Sequence, residues 1–237
     1  MNLDCNALLS ACKQFNIEIS PDKIKKFERY ADLLVEWNQK MNLTAITSPE
    51  GIAVLHFADS LTLLSAVDIK KNAKMLDVGT GAGFPAIPVA IMRTDISQTL
   101  IDSLNKRLVF LDSVINELEL SSKTVHARAE EAARKPEYRD NFDIVTARAV
   151  APLNILCEYC LPFVKTGGLF AAMKGPSGEE ELECSENAIK KLGSKIESIK
   201  EFTLPDTSRR KIILIRKVSQ TPKQFPRQSA KISKSPL

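Results

Sequence analysis

Histidine is scarce in this chain of 237 residues: His56 and His126 are the only two. Cys157 and Cys160 form the one C-x-x-C, and a zinc site there would need a second such pair or neighbouring histidines. The five cysteines are odd in number and irregularly spaced, which argues against a disulfide framework and for free thiols in a reducing compartment. No apolar run approaches the roughly 18 residues that a spanning helix requires. The start, Met1-Asn2-Leu3-Asp4, carries no basic leader. A cytoplasmic chain with no membrane partner is the expectation.

Acid is also missing from one end. No Asp or Glu follows Asp206, whereas Arg209, Arg210, Lys211, Arg216, Lys217, Lys223, Arg227, Lys231 and Lys234 contribute nine positive charges; the net charge of +4 therefore leaves residues 1–206 at −5. A basic end on a mildly acidic body suits a phosphate-backbone partner, the alternative being a solvated tail kept soluble by its lysines.

What is present divides in two near residue 70. Ser20-Pro21 opens a segment in which Ile24, Phe27, Ala31, Leu34, Trp37 and Met41 recur at spacings of three and four, an amphipathic helix with Pro at its first position. A shorter helix over 5–15 precedes it, and Ser48-Pro49-Glu50 starts another that runs to about Val67. From Lys74 the pattern becomes short apolar runs alternating with helical periods, which predicts βα units and a parallel sheet. Strands are expected at 75–78, 98–102, 124–128, 142–147 and 169–173. Helices are expected over 104–118 and 179–192. The runs 196–202 and 212–216 are joined by a loop short enough for an antiparallel hairpin. The expected organisation is a helical cap over 1–70, a Rossmann-like α/β domain over 71–217 with seven mostly parallel strands and an antiparallel last strand, and a basic tail over 218–237 with no helical or strand period.

The centre of this plan is Leu76-Asp77-Val78-Gly79-Thr80-Gly81-Ala82-Gly83-Phe84-Pro85, a strand that breaks into three alternate glycines before a helix. Glycines permit positive φ and close approach of a ligand, and the helix start offers free N–H groups. A dinucleotide fingerprint would need glycine at position 84, which is Phe84, so the NAD fit fails. Asp77, two residues before the first glycine, would repel a pyrophosphate but could accept hydrogen bonds from an ammonium group. S-adenosylmethionine carries an ammonium and a sulfonium and no phosphate. Asp102, ending the second strand, can take both ribose hydroxyls, and Ala129-Glu130 after the third can meet the adenine edge. An acid at a strand end or a helix cap is equally the ordinary structural reading of Asp102 or Glu130 taken singly. A methyltransferase with a non-RNA substrate and a non-catalytic RNA-binding or ribosome-assembly module both stay open at this level.

Asn42-Leu43-Thr44, His56-Phe57-Ala58-Asp59-Ser60-Leu61, the glycine turn just given, Asp102-Ser103-Leu104-Asn105-Lys106-Arg107, Thr146-Ala147-Arg148-Ala149 and Met173-Lys174-Gly175 together resemble the RsmG (GidB) family, and the tail from Thr221 to Leu237 is similar to that family's C-terminus. The resemblance spans nearly the whole chain. It implies a class I S-adenosylmethionine-dependent methyltransferase that modifies N7 of one guanine in 16S ribosomal RNA, as free RNA or within the small ribosomal subunit particle. A monomer is the expectation. The resemblance also implies donor contacts at Gly79, Phe84, Ala129, Glu130 and Arg148. To these the reading of the turn and strand ends adds Asp77, Gly81, Gly83 and Asp102.

Guanine N7 has an in-plane lone pair and no proton, so positioning rather than a general base is the expected catalysis. An arginine bidentate to O6 and N7 would occupy the nucleophile, so Arg148 is expected at the donor carboxylate or O6. Lys174 and Arg209 are expected at phosphates or O6, and Lys223 and Arg227 on RNA. His56 is expected to pair with Asp59 across one helical turn and brace the cap. Phe84 is expected to pack on the donor or the target base.

Overall fold

A computed structural model describes residues 2–237, the Glu179 side chain excepted. The helical segment comprises α1 (Cys5–Gln14), α2 (Pro21–Met41), α3 (Pro49–Gly51), a π-helical stretch (Ile52–Ala58) and α4 (Asp59–Ala66). Asp4 caps α1 by accepting from Ala7 N, and Pro21 occupies the first turn of α2, whose donors need no partner. The α/β part runs β1 (Lys74–Val78), α5 (Ala86–Met92), β2 (Ser97–Asp102), α6 (Asn105–Glu117), β3 (Ser122–His126), α7 (Ala129–Ala132) and β4 (Phe142–Arg148). It continues with α8 (Leu153–Cys160), β5 (Val164–Lys174), α9 (Gly178–Glu183), α10 (Glu186–Lys191), β6 (Ser194–Thr203), β7 (Arg209–Lys217) and α11 (Ser229–Lys234).

The seven strands form one sheet in the order β3-β2-β1-β4-β5-β7-β6. Pairings among β1 to β5 are parallel, and β7 runs antiparallel between β5 and β6. The strand order reverses between β1 and β4, which opens a crevice beyond their C-terminal ends. The inner strands are buried on both faces, so they appear in sequence as continuous apolar runs. The helical segment is a layer on one face: Phe27, Tyr30, Leu34 and Phe57 share a single apolar cluster with Ala82, Phe84, Ile87, Phe110 and Leu111 from the glycine turn, α5 and α6. Tyr30 Oη donates to Ala82 O, and its ring stacks on Phe57 at 5.1 Å, so α2 is fastened directly to the turn.

Three expectations are corrected. The helix starting at Pro49 contains a π-helical stretch over Ile52–Ala58, which periodicity cannot register because the apolar residues there are buried all round. The helix expected over 179–192 is two, broken at Cys184-Ser185, where Ser185 Oγ donates back to Glu181 O. The tail carries a short helix, α11, and folds against the domain instead of extending: Phe225 and Ile232 are buried. Cys157 and Cys160 are buried free thiols on α8, both pushed up by burial.

Candidate active site

The glycine turn is built from three backbone constraints. Gly79, Gly81 and Gly83 all have positive φ, at 66°, 60° and 96°. Gly79 N donates to Ile101 O at 2.8 Å and Gly81 N to Asp102 Oδ2 at 3.0 Å, which ties the turn to the end of β2. A Cβ on Gly83 would lie 2.6 Å from Ile87 Cγ1 and 2.8 Å from Leu111 Cδ2, so the third glycine lets α5 and α6 close over the turn. Gly83→Ala is therefore expected to cost about 1–3 kcal/mol through overpacking and the unfavourable φ, read as a lower thermal midpoint. An unchanged midpoint would mean that the turn relaxes freely.

A cavity of about 280 Å³ opens beside the turn, lined by Val78, Gly79, Asp102, Arg107, Ala129 and Glu130, with Val150, Tyr159 and Ser229 among the residues that complete it. Asp102 is buried at its floor. It accepts from Gly81 N and from Arg107 Nη1 at 3.3 Å through Oδ2 and from Leu104 N at 2.9 Å through Oδ1, and Oδ1 keeps acceptor capacity for a hydroxyl. Glu130 is buried in the first turn of α7. Gly79, Asp102, Ala129 and Glu130 thus line one cavity.

The remaining donor residues of the sequence reading do not line this cavity. Asp77 lies beneath the turn, 1% exposed, where Oδ1 accepts from Thr146 Oγ1 at 2.8 Å and Oδ2 has no well-formed hydrogen bond. Burial first of all pushes its carboxyl up to about 7, against the opposing effects of Thr80, Thr146 and Arg148. It can act on a ligand by charge, not by the direct ammonium contact expected from sequence. Gly81 and Gly83 shape the turn from behind. Phe84 is buried against the helical layer, stacked on His56 at 4.4 Å, with the Arg148 guanidinium 4.9 Å from its ring centroid.

Arg148, at the end of β4, donates from Nη1 to Asp59 Oδ2 at 2.7 Å and to Leu55 O at 3.3 Å. Arg210 Nε approaches Asp59 Oδ1 at 3.3 Å from β7. The buried carboxylate of Asp59 therefore sits between two guanidiniums. The expected pair of His56 with Asp59 is absent, because i→i+5 winding turns residues three apart off a common face. His56 Nε2 instead meets Thr44 Oγ1 at 2.8 Å, and burial, assisted by Arg148, lowers its pKa to about 4. It is neutral at physiological pH. These groups, with Lys174, Glu181, Lys211 and Met173, line a second cavity of about 440 Å³, and Ala149 lines both cavities.

The cations assigned to RNA separate into two kinds. Lys174 is an interior strut: Nζ donates to Ala151 O at 2.7 Å and pairs with Glu181 at 2.7 Å, with the side chain 9% exposed. Arg227 is locked on the fully buried Glu158, its Nη2 2.7 Å from Oε2. Neither is free for a phosphate, because each faces an acid from another element that local sequence does not show. Arg209 and Lys223 are exposed. Of the nine C-terminal cations, Arg210, Lys211, Arg216, Lys217 and Arg227 face acids. Lys217 is buried, and burial lowers its pKa to about 8. Arg107, Tyr159, Arg210 and Ser229 also line these cavities without having been expected there; the places of Tyr159, Arg210 and Ser229 depend on packing between distant elements, and only Arg107 lies in a motif of the sequence.

The strand order, the glycine turn at its reversal and the acid-lined cavity define the class I S-adenosylmethionine-dependent methyltransferase fold. Among solved structures, a SAM-dependent O-methyltransferase from Thermotoga maritima superposes at TM-score 0.53 and 15% identity, over 80% of this chain and 72% of that one. The [4+2]-cyclase SpnF superposes at 0.55 and 17% identity, over 85% and 98%. The second of these shows that this fold also carries other chemistry. The family model described as rRNA small subunit methyltransferase G, GidB, matches residues 23–219. The ribosomal RNA small subunit methyltransferase G of Desulfitobacterium hafniense is 52% identical over 95% of this chain and 94% of its own length, and that of Clostridium perfringens 49% identical over 96% of each. The chain belongs to the rRNA small subunit methyltransferase G (GidB) family, whose methyl donor is S-adenosylmethionine. No helix among the described residues is long and apolar enough to cross a membrane.

Proposed function

We propose that this protein methylates N7 of a guanine in 16S ribosomal RNA, with the donor in the 280 Å³ cavity and the target base in the 440 Å³ cavity. The observation that carries this reading is their junction at Ala149, which lets a base in one approach a methyl presented from the other. The donor supplies an electrophilic methyl on a sulfonium. Asp102 would hold the ribose, Ala129 and Glu130 the adenine edge, and Gly79 the amino-acid end. The poorly paired, buried Oδ2 of Asp77 gives the turn a negative field that suits a cationic ligand and opposes a pyrophosphate.

N7 needs no base, and the groups of the second cavity that could act as one are engaged elsewhere: His56 Nε2 with Thr44, Asp59 with Arg148 and Arg210, and Glu181 with Lys174. Positive charge develops on the purine as the methyl moves, so a free guanidinium at N7 would oppose the reaction. Asp59 holds Arg148 and Arg210 in ion pairs and offsets their charge within the second cavity. Catalysis is then alignment and exclusion of water, with Arg148 a positioning residue in the lining of the second cavity.

The test is to incubate the purified protein and labelled donor with small subunits, and separately with deproteinised 16S RNA, both from cells lacking the gene. One labelled guanine N7 is expected, and label elsewhere or none would overturn the reading. The two arms also decide which substrate form is used. For the exposed cations the expected result is that Arg209→Ala weakens RNA binding and lowers the slope of log affinity against log salt by about one, donor affinity being unchanged. An unchanged slope would remove Arg209 from the RNA face.

A further inference from the structure

Beyond β7 the chain does not leave the domain. Arg139 donates from Nη2 to Thr221 O at 2.7 Å and from Nη1 to Phe225 O at 2.9 Å, and Arg134 donates to Pro226 O. Phe225 enters the core cluster that contains α8 and β4. Glu158, fully buried on α8, accepts from Arg227 N at 2.7 Å, from Nε at 2.9 Å and from Nη2 at 2.7 Å. A charge pair this enclosed stands only if its geometry is held, so it fixes the segment after Pro226 against α8. One residue beyond the Glu158 anchor on α8 is Tyr159, and two beyond Arg227 is Ser229. Their hydroxyls are hydrogen-bonded at 3.0 Å, and both residues line the 280 Å³ cavity that also contains Asp102, Ala129 and Glu130.

We propose that Tyr159 and Ser229 form part of the donor-binding site, closing its purine side, so that the C-terminal segment is a strap on the cofactor pocket. The inference rests on the assignment of that cavity to S-adenosylmethionine. Two hydroxyls bonded to each other keep one donor hydrogen and free lone pairs between them. Adenine presents an amine donor and ring-nitrogen acceptors, a match for such a pair, and the tyrosine ring adds apolar surface. Asp102 is committed to the ribose in the same cavity, and Ala129 and Glu130 to part of the adenine edge, which leaves the remaining purine surface as the part of the donor that Tyr159 and Ser229 meet. Most of the strap's hold comes from Arg134 and Arg139 donating to its backbone carbonyls and from the buried carboxylate of Glu158, which takes up Arg227, one of the cations that make this end basic.

The test uses the full chain and calorimetric binding of S-adenosylmethionine, with adenosine as a second probe. Ser229→Ala and Tyr159→Phe are each expected to weaken both ligands about three- to tenfold. The double variant is expected to lose less than the product of the two, because the hydroxyls act as a pair. Ser229→Trp is expected to block binding by filling the cavity. RNA affinity and thermal midpoint should move little in the two mild variants, a pattern that general loosening of the fold would not give. Wild-type protein that binds donor, with both mild variants within twofold of it, overturns the strap proposal alone. Wild-type protein that binds neither probe overturns the donor-site assignment and the strap with it.

Discussion

Arg148→Ala should lower methyl transfer at least a hundredfold and reduce thermal stability as well. The two losses have different origins. Arg148 and Arg210 share the Asp59 carboxylate, which is only 5% exposed, and removing Arg148 takes away its 2.7 Å hydrogen bond and leaves the longer 3.3 Å contact with Arg210 as the remaining ion pair. Breaking a buried pair by deleting one partner costs about 3–5 kcal/mol at the upper end; here Arg210 remains, which reduces the penalty. The activity loss has another source. The Arg148 side chain also packs over Phe84 and holds Leu55 O, so it fixes the distance between the turn and the π-helical wall of the second cavity. A misplacement of about 1 Å in an alignment-dependent reaction is enough for a hundredfold effect. Adding Asp59→Asn to Arg148→Ala removes the under-bonded buried carboxylate and leaves only the part-exposed Arg210 without its partner, so the double variant is expected to regain part of the thermal midpoint but not the transfer rate. Recovery of both would make Arg148 a stabilising residue only. Arg148→Ala with near-normal transfer would exclude it from positioning altogether.

How much of this was legible before the fold was seen depends on the range of the interaction concerned. The seven strands, the hairpin of β6 and β7 and the turn at the end of β1 follow from local alternation, strand length and glycine spacing, and they match the sheet within a few residues. Gly79, Asp102, Ala129 and Glu130 were legible as a set because each sits at a strand end, and a parallel sheet brings strand ends together. The misplaced residues are those whose partners come from distant elements. Lys174 looks like a free cation until Glu181 is placed beside it. Arg227 looks like part of a basic arm until Glu158 proves to be buried under it. His56 and Asp59 have helical spacing, but the π-helical winding sends one to Thr44 and the other to Arg148 and Arg210. A count of nine C-terminal cations is a fact about composition, whereas the field they present depends on which of them face acids, and only the fold supplies that.

Asp77→Asn is expected to make the donor-free protein more stable at pH 8 while weakening its hold on S-adenosylmethionine. The free carboxyl of an unfolded chain titrates near 4. In the folded protein burial raises Asp77 to about 7, with Asp102 adding to the rise and Arg148 opposing it. Between those values the folded state binds the proton and the unfolded state does not, so stability falls as pH rises through the window and stays reduced above about 7. Asparagine keeps an acceptor for the Thr146 hydroxyl and carries no charge, so the gain at pH 8 should be on the order of 2–4 kcal/mol and should vanish near pH 4. Binding a cation beside the turn favours the ionised form. Wild-type affinity should therefore rise between pH 5.5 and 7, by at most about tenfold per unit, and level off above. The Asn variant should show a lower and flatter profile. Stability curves at pH 4 and 8, together with donor titrations across that range, separate the two effects. A less stable Asn variant at pH 8 would mean that the carboxylate already has adequate partners. A pH-independent wild-type affinity would mean that its charge does not reach the donor.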